Sequence, residues 1–185
     1  PLKVDSEPCS RPIGVRAPAT MTDPFENDIR APNPCVDDDN IMPMNSLLTR
    51  IDHVGIAVAD LDTAIDFYAR TFGLSVVHEE VNERQGVREA MLAVGDSGSC
   101  IQLLAPLTET STIAKFLDRS GPGIQQIAYG VDDIEAAAQT LRASGVRMLF
   151  ETAQVGTAGS LTNFCHPKDC GGVLVELVQA APAHG

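Results

Sequence analysis

A chain of 185 residues, 44% of them hydrophobic, can bury the core of one domain or of a tight pair of half-domains. Its net charge of -12, from 13 basic against 25 acidic residues, excludes nucleic acid, which needs a cationic surface to displace counterions. No apolar run approaches the roughly 18–20 residues of a spanning helix, and no basic stretch runs into an apolar one at the start, so no membrane partner is expected and the protein reads as cytoplasmic.

In chain order, residues 1–45 come first, with eight of the twelve prolines and the run Asp37-Asp38-Asp39. They read as a disordered N-terminal extension, and Met42 and Met44, just before the first strand, lead to the expectation that it lies upstream of the natural protein. Residues 46–108 read as a βαβββ module. A strand over Arg50–Val58 leads to a helix capped at Asp60 or Leu61, with Leu61, Ala64, Ile65, Tyr68 and Phe72 on its apolar face. Strands follow over Leu74–Glu80, Val87–Val94 and Ser99–Ala105, with Gly86 and Gly95–Gly98 as turns. Residues 109–121 link the halves through a helix capped by Ser111. Residues 122–180 repeat the order: a strand over Ile124–Val131, a helix over Asp133–Ala143, then strands near Met148–Glu151, Ser160–Cys165 and Gly172–Gln179, with a tail at 181–185. The fold class is therefore α+β, two paired βαβββ modules forming a curved mixed sheet around a metal site. The five cysteines, at 9, 35, 100, 165 and 170 without CxxC spacing, read as reduced thiols rather than a disulfide framework or zinc ribbon.

The modules match residue by residue. His53-Val-Gly-Ile-Ala-Val-Ala-Asp returns as Gln126-Ile-Ala-Tyr-Gly-Val-Asp-Asp, 126 − 53 = 73 positions later, and Gln102 and Glu176 occupy equivalent points of each last strand, 176 − 102 = 74 apart. If the modules pack about a pseudo-twofold axis, His53, Gln102, Gln126 and Glu176 converge and can hold a divalent cation. Taken singly, each has a plainer reading: His53 as a satisfied structural histidine, the glutamines as ordinary strand residues, Glu176 on a solvated face. Their equivalence in the repeat raises all four together. One carboxylate and two amide oxygens suit Co(II), Mn(II), Mg(II) or Ni(II) better than a tight structural zinc, and leave the ion charge enough to bind an anionic oxygen. Glu89, amid apolar strand positions, reads as a general base or as an exposed glutamate paired with Arg88. Glu79, Glu80 and Glu83 read as a solvated acidic face, His78 and His184 as structural or surface residues, Lys115 and Lys168 as surface lysines. His166 either lines a cavity or closes a turn.

From about Arg50 to Gln179 the chain resembles the methylmalonyl-CoA epimerase family of the vicinal-oxygen-chelate superfamily. The matching stretches are Ile51-Asp-His-Val-Gly-Ile-Ala-Val58, Gln85-Gly-Val-Arg-Glu89, Ile101-Gln-Leu-Leu-Ala-Pro-Leu107, Ser111-Thr-Ile-Ala-Lys-Phe-Leu117, His166-Pro-Lys168 and Gly171-Gly-Val-Leu-Val-Glu-Leu177. The resemblance implies that His53, Gln102 and Glu176 bind metal, that Glu89 is a catalytic base and that Glu176 is the opposing acid or base. It also implies the substrate, methylmalonyl-CoA or a related 2-substituted malonyl-CoA, epimerised by proton removal and return at C2 through a metal-stabilised enolate, and with the open sheet edges it implies a homodimer. Gln126 departs from the pattern, since many relatives carry a His-His pair where this chain has Gln125-Gln126; alignment with His53 selects Gln126 as the inward residue. The competing readings are a glyoxalase, expected to place a carboxylate at position 102, an extradiol dioxygenase, expected to place a histidine at 126, and a metal-free binding protein of the same fold.

Overall fold

The computed structural model describes residues 46–182, so the expected extension over 1–45, His184 and the end of the tail lie outside the described residues. The element order is β1 (Arg50–Ala57), α1 (Leu61–Phe72), β2 (Ser75–Asn82), β3 (Val87–Ala93), β4 (Cys100–Pro106), α2 (Thr112–Ser120), β5 (Gly123–Gly130), α3 (Ile134–Ala143), β6 (Gln154–Val155), β7 (Leu161–Cys165) and β8 (Val175–Gln179). Each helix starts where a short polar side chain satisfies a free backbone N–H: Asp60 accepts from Thr63 N at 2.8 Å, Ser111 from Ala114 N at 3.1 Å, and Asp133 from Ala136 N at 3.0 Å. No helix among the described residues is long and apolar enough to cross a membrane.

The eight strands form one curled mixed sheet in the order β2-β3-β4-β1-β5-β8-β7-β6. Its centre is the antiparallel pair β1/β5, and on either side a parallel partner, β4 beside β1 and β8 beside β5, repeats the same relation. Val54 faces Ile101 as Ile127 faces Val175, the 73- and 74-residue offsets expected of the repeat.

Strand alternation divides β4 between two faces. Leu103 and Ala105 pack with Leu61, Ala90 and Leu92 beneath α1, while Gln102 and Leu104 look into a cavity on the other side. In the second module Leu177 does the same work with Val131, Ile134 and Ala137 of the α3 side. Leu103 is fully buried, so Leu103→Ala should destabilise the fold by about 2–5 kcal/mol, the scale of a partly collapsed core cavity, read as a lower urea midpoint at unchanged m.

The strand expected over Met148–Glu151 does not form. Met148 makes only an isolated bridge to Cys165. Beyond it the backbone of Phe150 is taken by side chains: Asn163 Oδ1 accepts from Phe150 N at 3.2 Å and Asn163 Nδ2 donates to Phe150 O at 3.1 Å. Arg142 donates to the carbonyls of Phe150 and Glu151 at 2.9 and 2.7 Å. With the ladder groups of Phe150 and Glu151 occupied, pairing with β7 stops at the Met148 bridge, and the outer strand is the two-residue β6. β8 also begins later than Gly172, because Gly171 and Gly172 adopt left-handed φ of 65° and 91° that turn the chain instead.

Candidate active site

His53, Gln102, Gln126 and Glu176 come from β1, β4, β5 and β8, and all four are buried. Glu176 Oε2 lies 3.2 Å from His53 Nε2 and accepts a short hydrogen bond from Gln126 Nε2. Gln126 Nε2 also donates to Gln102 Oε1 at 3.4 Å and stands 3.5 Å from His53 Nε2. The structure thus brings together the four side chains singled out by the repeat.

The close approach of the two modules depends on one glycine. Gly55 faces Gln126 across the β1/β5 seam, and the pairing then skips to Ile56 opposite Ile124, leaving Gln125 as the extra residue of a bulge. The bulge lets Gln125 and Gln126 both line the cavity, and Gln125 Oε1 is buried without a partner. A Cβ at Gly55 would lie 2.7 Å from Gln126 Cγ, too close for any carbon pair. Gly55→Ala should therefore push Gln126 out of the cluster and weaken Co(II) or Mn(II) binding by about tenfold, about 1.4 kcal/mol, checked by calorimetry, with little change in circular dichroism.

Three of the four donors are aimed by a second partner. His53 Nδ1 meets Asp52 Oδ1 at 3.1 Å, and Asp52 is itself paired with Arg50. Burial disfavours the imidazolium of His53, but the carboxylates of Asp52 and Glu176 outweigh it and push the imidazole up to about 9. Glu176 Oε1 accepts from the Thr162 hydroxyl. Gln102 Nε2 donates to Glu89 Oε2 at 3.0 Å and to Thr157 Oγ1 at 3.2 Å, which turns Gln102 Oε1 toward the cluster.

His53 Nε2, Gln102 Oε1 and Glu176 Oε2 surround the Gln126 amide nitrogen, three atoms that can face a cation once His53 has given up its proton. A cation fits this donor set, with Gln126 coordinating through its oxygen once its amide has turned. The amides matter, because among the described residues no three His, Cys, Asp or Glu side chains form a metal cluster by themselves.

Glu89 stands on β3, buried, with Thr157 Oγ1 donating to its Oε1 at 2.7 Å. Burial, reinforced by the nearby carboxyls of Glu80 and Glu176 and opposed by the Thr157 hydrogen bond, pushes it up to about 7. The reading of Glu89 as an exposed partner of Arg88 is overturned: Arg88 points to the other face and pairs with Asp62 and Glu79. Glu89, Gln102, Gln126 and Glu176 line a cavity of about 430 Å³ whose other walls include Leu104, Ile113 and Phe150, and Arg84 is the one cation among its lining residues.

Thr157 and Thr162 carry no signal that singles them out in the sequence. Thr162 becomes legible only in the sheet, where it faces Val178 as Glu89 faces Leu104, the same point of the other module. Thr157 arrives from a loop whose path no local pattern reveals. His166 accepts from Lys168 N at 3.2 Å and closes a turn, and Lys115 and Lys168 are exposed.

Comparison with known proteins agrees with this fold. The Glyoxalase/Bleomycin resistance protein/Dioxygenase superfamily profile matches residues 52–165. The mitochondrial methylmalonyl-CoA epimerase of Homo sapiens is 40% identical over 134 residues, 72% of this chain and 75% of that protein. The crystal structure of methylmalonyl-CoA epimerase from Mycobacterium tuberculosis superposes with a TM-score of 0.72 at 60% identity, covering 75% of this chain and 92% of that one. A methylmalonyl-CoA epimerase in complex with methylmalonyl-CoA and NH4+ superposes with a TM-score of 0.71 at 48% identity, covering 75% and 99%.

Proposed function

Because the chain belongs to the methylmalonyl-CoA epimerases of the glyoxalase/bleomycin-resistance/dioxygenase superfamily, we propose that it interconverts (R)- and (S)-methylmalonyl-CoA, or a related 2-substituted malonyl-CoA, by a cation-assisted two-base mechanism. The observation that carries this reading is the placement of two buried carboxylates at opposite ends of one hydrogen-bonded cluster. Glu89 is joined to Gln102 on one side, and Glu176 to Gln126 and His53 on the other.

The C2–H of the substrate lies between a thioester and a carboxylate, so its removal leaves charge that spreads onto oxygen. A divalent cation, Co(II), Mn(II), Mg(II) or Ni(II), held by His53, Gln102, Gln126 and Glu176 would supply positive charge near that oxygen. Glu89 takes the C2 proton: the C–H bond breaks, its electron pair moves into the thioester, and Glu89 becomes a carboxylic acid. The acid form of Glu176 returns a proton to the opposite face, and the reverse reaction exchanges the two roles. An elevated affinity for the proton makes Glu89 a competent base near neutral pH, where an ordinary glutamate would be weak. Thr157 and Gln102 hold its two oxygens, so the proton leaves in one direction. The apolar wall of Leu104, Ile113 and Phe150 excludes water from the carbanionic centre.

We read the protein as a homodimer in the cytoplasm, where Cys100, Cys165 and Cys170, free among the described residues, stay reduced. The decisive measurement is deuterium incorporation at C2 of methylmalonyl-CoA in heavy water, above a protein-free control, for apo and Co(II)-loaded protein. Metal-dependent exchange is expected; bound metal with an intact fold and no exchange would overturn the reading.

A further inference from the structure

We infer that His78 and Glu80 form a proton relay that connects the buried Glu89 to solvent and resets it between turnovers. The inference rests on Glu89 being the base of the proposed reaction. One turnover leaves Glu89 protonated and Glu176 deprotonated, the wrong state for a second turnover in the same direction. Glu89 must lose its proton, yet it is only 2% exposed even with the cavity empty, and both its oxygens are already engaged.

Glu80 supplies an exit. It lies directly opposite Glu89 across the β2/β3 ladder, and residues so paired project from the same face of a sheet. Consecutive residues of one tight loop clamp the two carboxyls side by side: Thr157 Oγ1 donates to Glu89 Oε1 at 2.7 Å and Ala158 N donates to Glu80 Oε2 at 3.2 Å. That loop holds Ala158 at φ 53°, a left-handed conformation costly for a residue with a Cβ, and relaxing it would withdraw both donors together. Two adjacent carboxyls in a half-buried setting repel as anions and favour one shared proton. Beyond them His78 Nε2 lies 2.6 Å from Glu80 Oε2. The side chains of Glu80 and His78 are 28% and 36% exposed, so accessibility rises along the path from Glu89 outward.

The transfers balance. The proton on Glu89 passes to the carboxylate of Glu80, from Glu80 to Nε2 of a neutral His78, and the imidazolium releases it to water. Glu89 ends as the carboxylate, with Glu80 and His78 unchanged. His78 and Glu80 thus act through Glu89 and never meet the substrate.

The test is steady-state epimerisation by Co(II)-loaded wild type, His78→Gln and Glu80→Gln, with and without added imidazole. Resetting limits only the saturated enzyme, so in both variants kcat should fall about tenfold with kcat/KM unchanged, and imidazole buffer should restore kcat. Equal losses in kcat and kcat/KM, no loss in either, or no response to imidazole would overturn the relay. If Glu80→Gln does not fold, the more exposed His78→Gln decides alone. Wild-type protein that binds Co(II) without exchanging C2 would overturn the base assignment itself, and the relay with it.

Discussion

Replacing Glu89 with glutamine should lower kcat by about 10²–10⁴-fold, the usual worth of a positioned general base, while leaving KM and cation affinity close to wild type. The substitution is nearly isosteric and its surroundings can accommodate it. The new amide oxygen can still accept from Gln102 Nε2, and the Thr157 hydroxyl can rotate to accept from the new amide nitrogen, where it now donates to Glu89. Gln102 therefore keeps its oxygen turned to the cluster, and what disappears is the basic lone pair alone. Deuterium incorporation at C2 would fall with kcat. A variant with wild-type exchange would remove Glu89 from the chemistry, and one that lost Co(II) binding as well would show that its part is to hold Gln102.

Glu176→Gln should have a different signature, with cation affinity and turnover lost together. Glu176 is the only carboxylate among the four clustered donors, and the imidazole of His53 and the amide of Gln126 both lean on its Oε2. Removing one partner of a buried charge pair costs about 3 kcal/mol, which is roughly a 10²-fold loss of Co(II) affinity by calorimetry. Exchange at C2 should vanish even at saturating metal, because the second proton donor is gone too. Wild-type affinity in this variant would place the cation elsewhere.

The repeat made the centre of this molecule legible from sequence. A 73-residue offset is a statement about symmetry, and symmetry put His53 against Gln126 and Gln102 against Glu176 before any contact was known. It failed at the edge of the sheet. Leu149 and Phe150 are as apolar as strand residues, but Asn163 and Arg142 occupy the backbone groups that a strand would need, and nothing local to Met148–Glu151 announces this. Glu80 departs from its acidic neighbours for a related reason. Its neighbours Glu79 and Glu83 are exposed, whereas Glu80 is half-buried because Ala158, 78 residues away in the chain, closes over it. Side chains positioned by their own strand were readable, and those positioned by a distant loop were not.

The β1/β5 seam has a consequence for how the donor cluster is assembled. Each module contributes two of the four side chains, His53 and Gln102 from one, Gln126 and Glu176 from the other, so in the proposed cation site each by itself would be a bidentate half-chelator. The seam sets the effective concentration of one half for the other, and chelation by two tethered halves exceeds either alone by a factor that depends on how rigidly they are joined. Under that proposal, affinity for a cation would be a gauge of the seam. A substitution far from any donor that loosens β1 from β5 should register first as faster metal release, before the fold itself gives way.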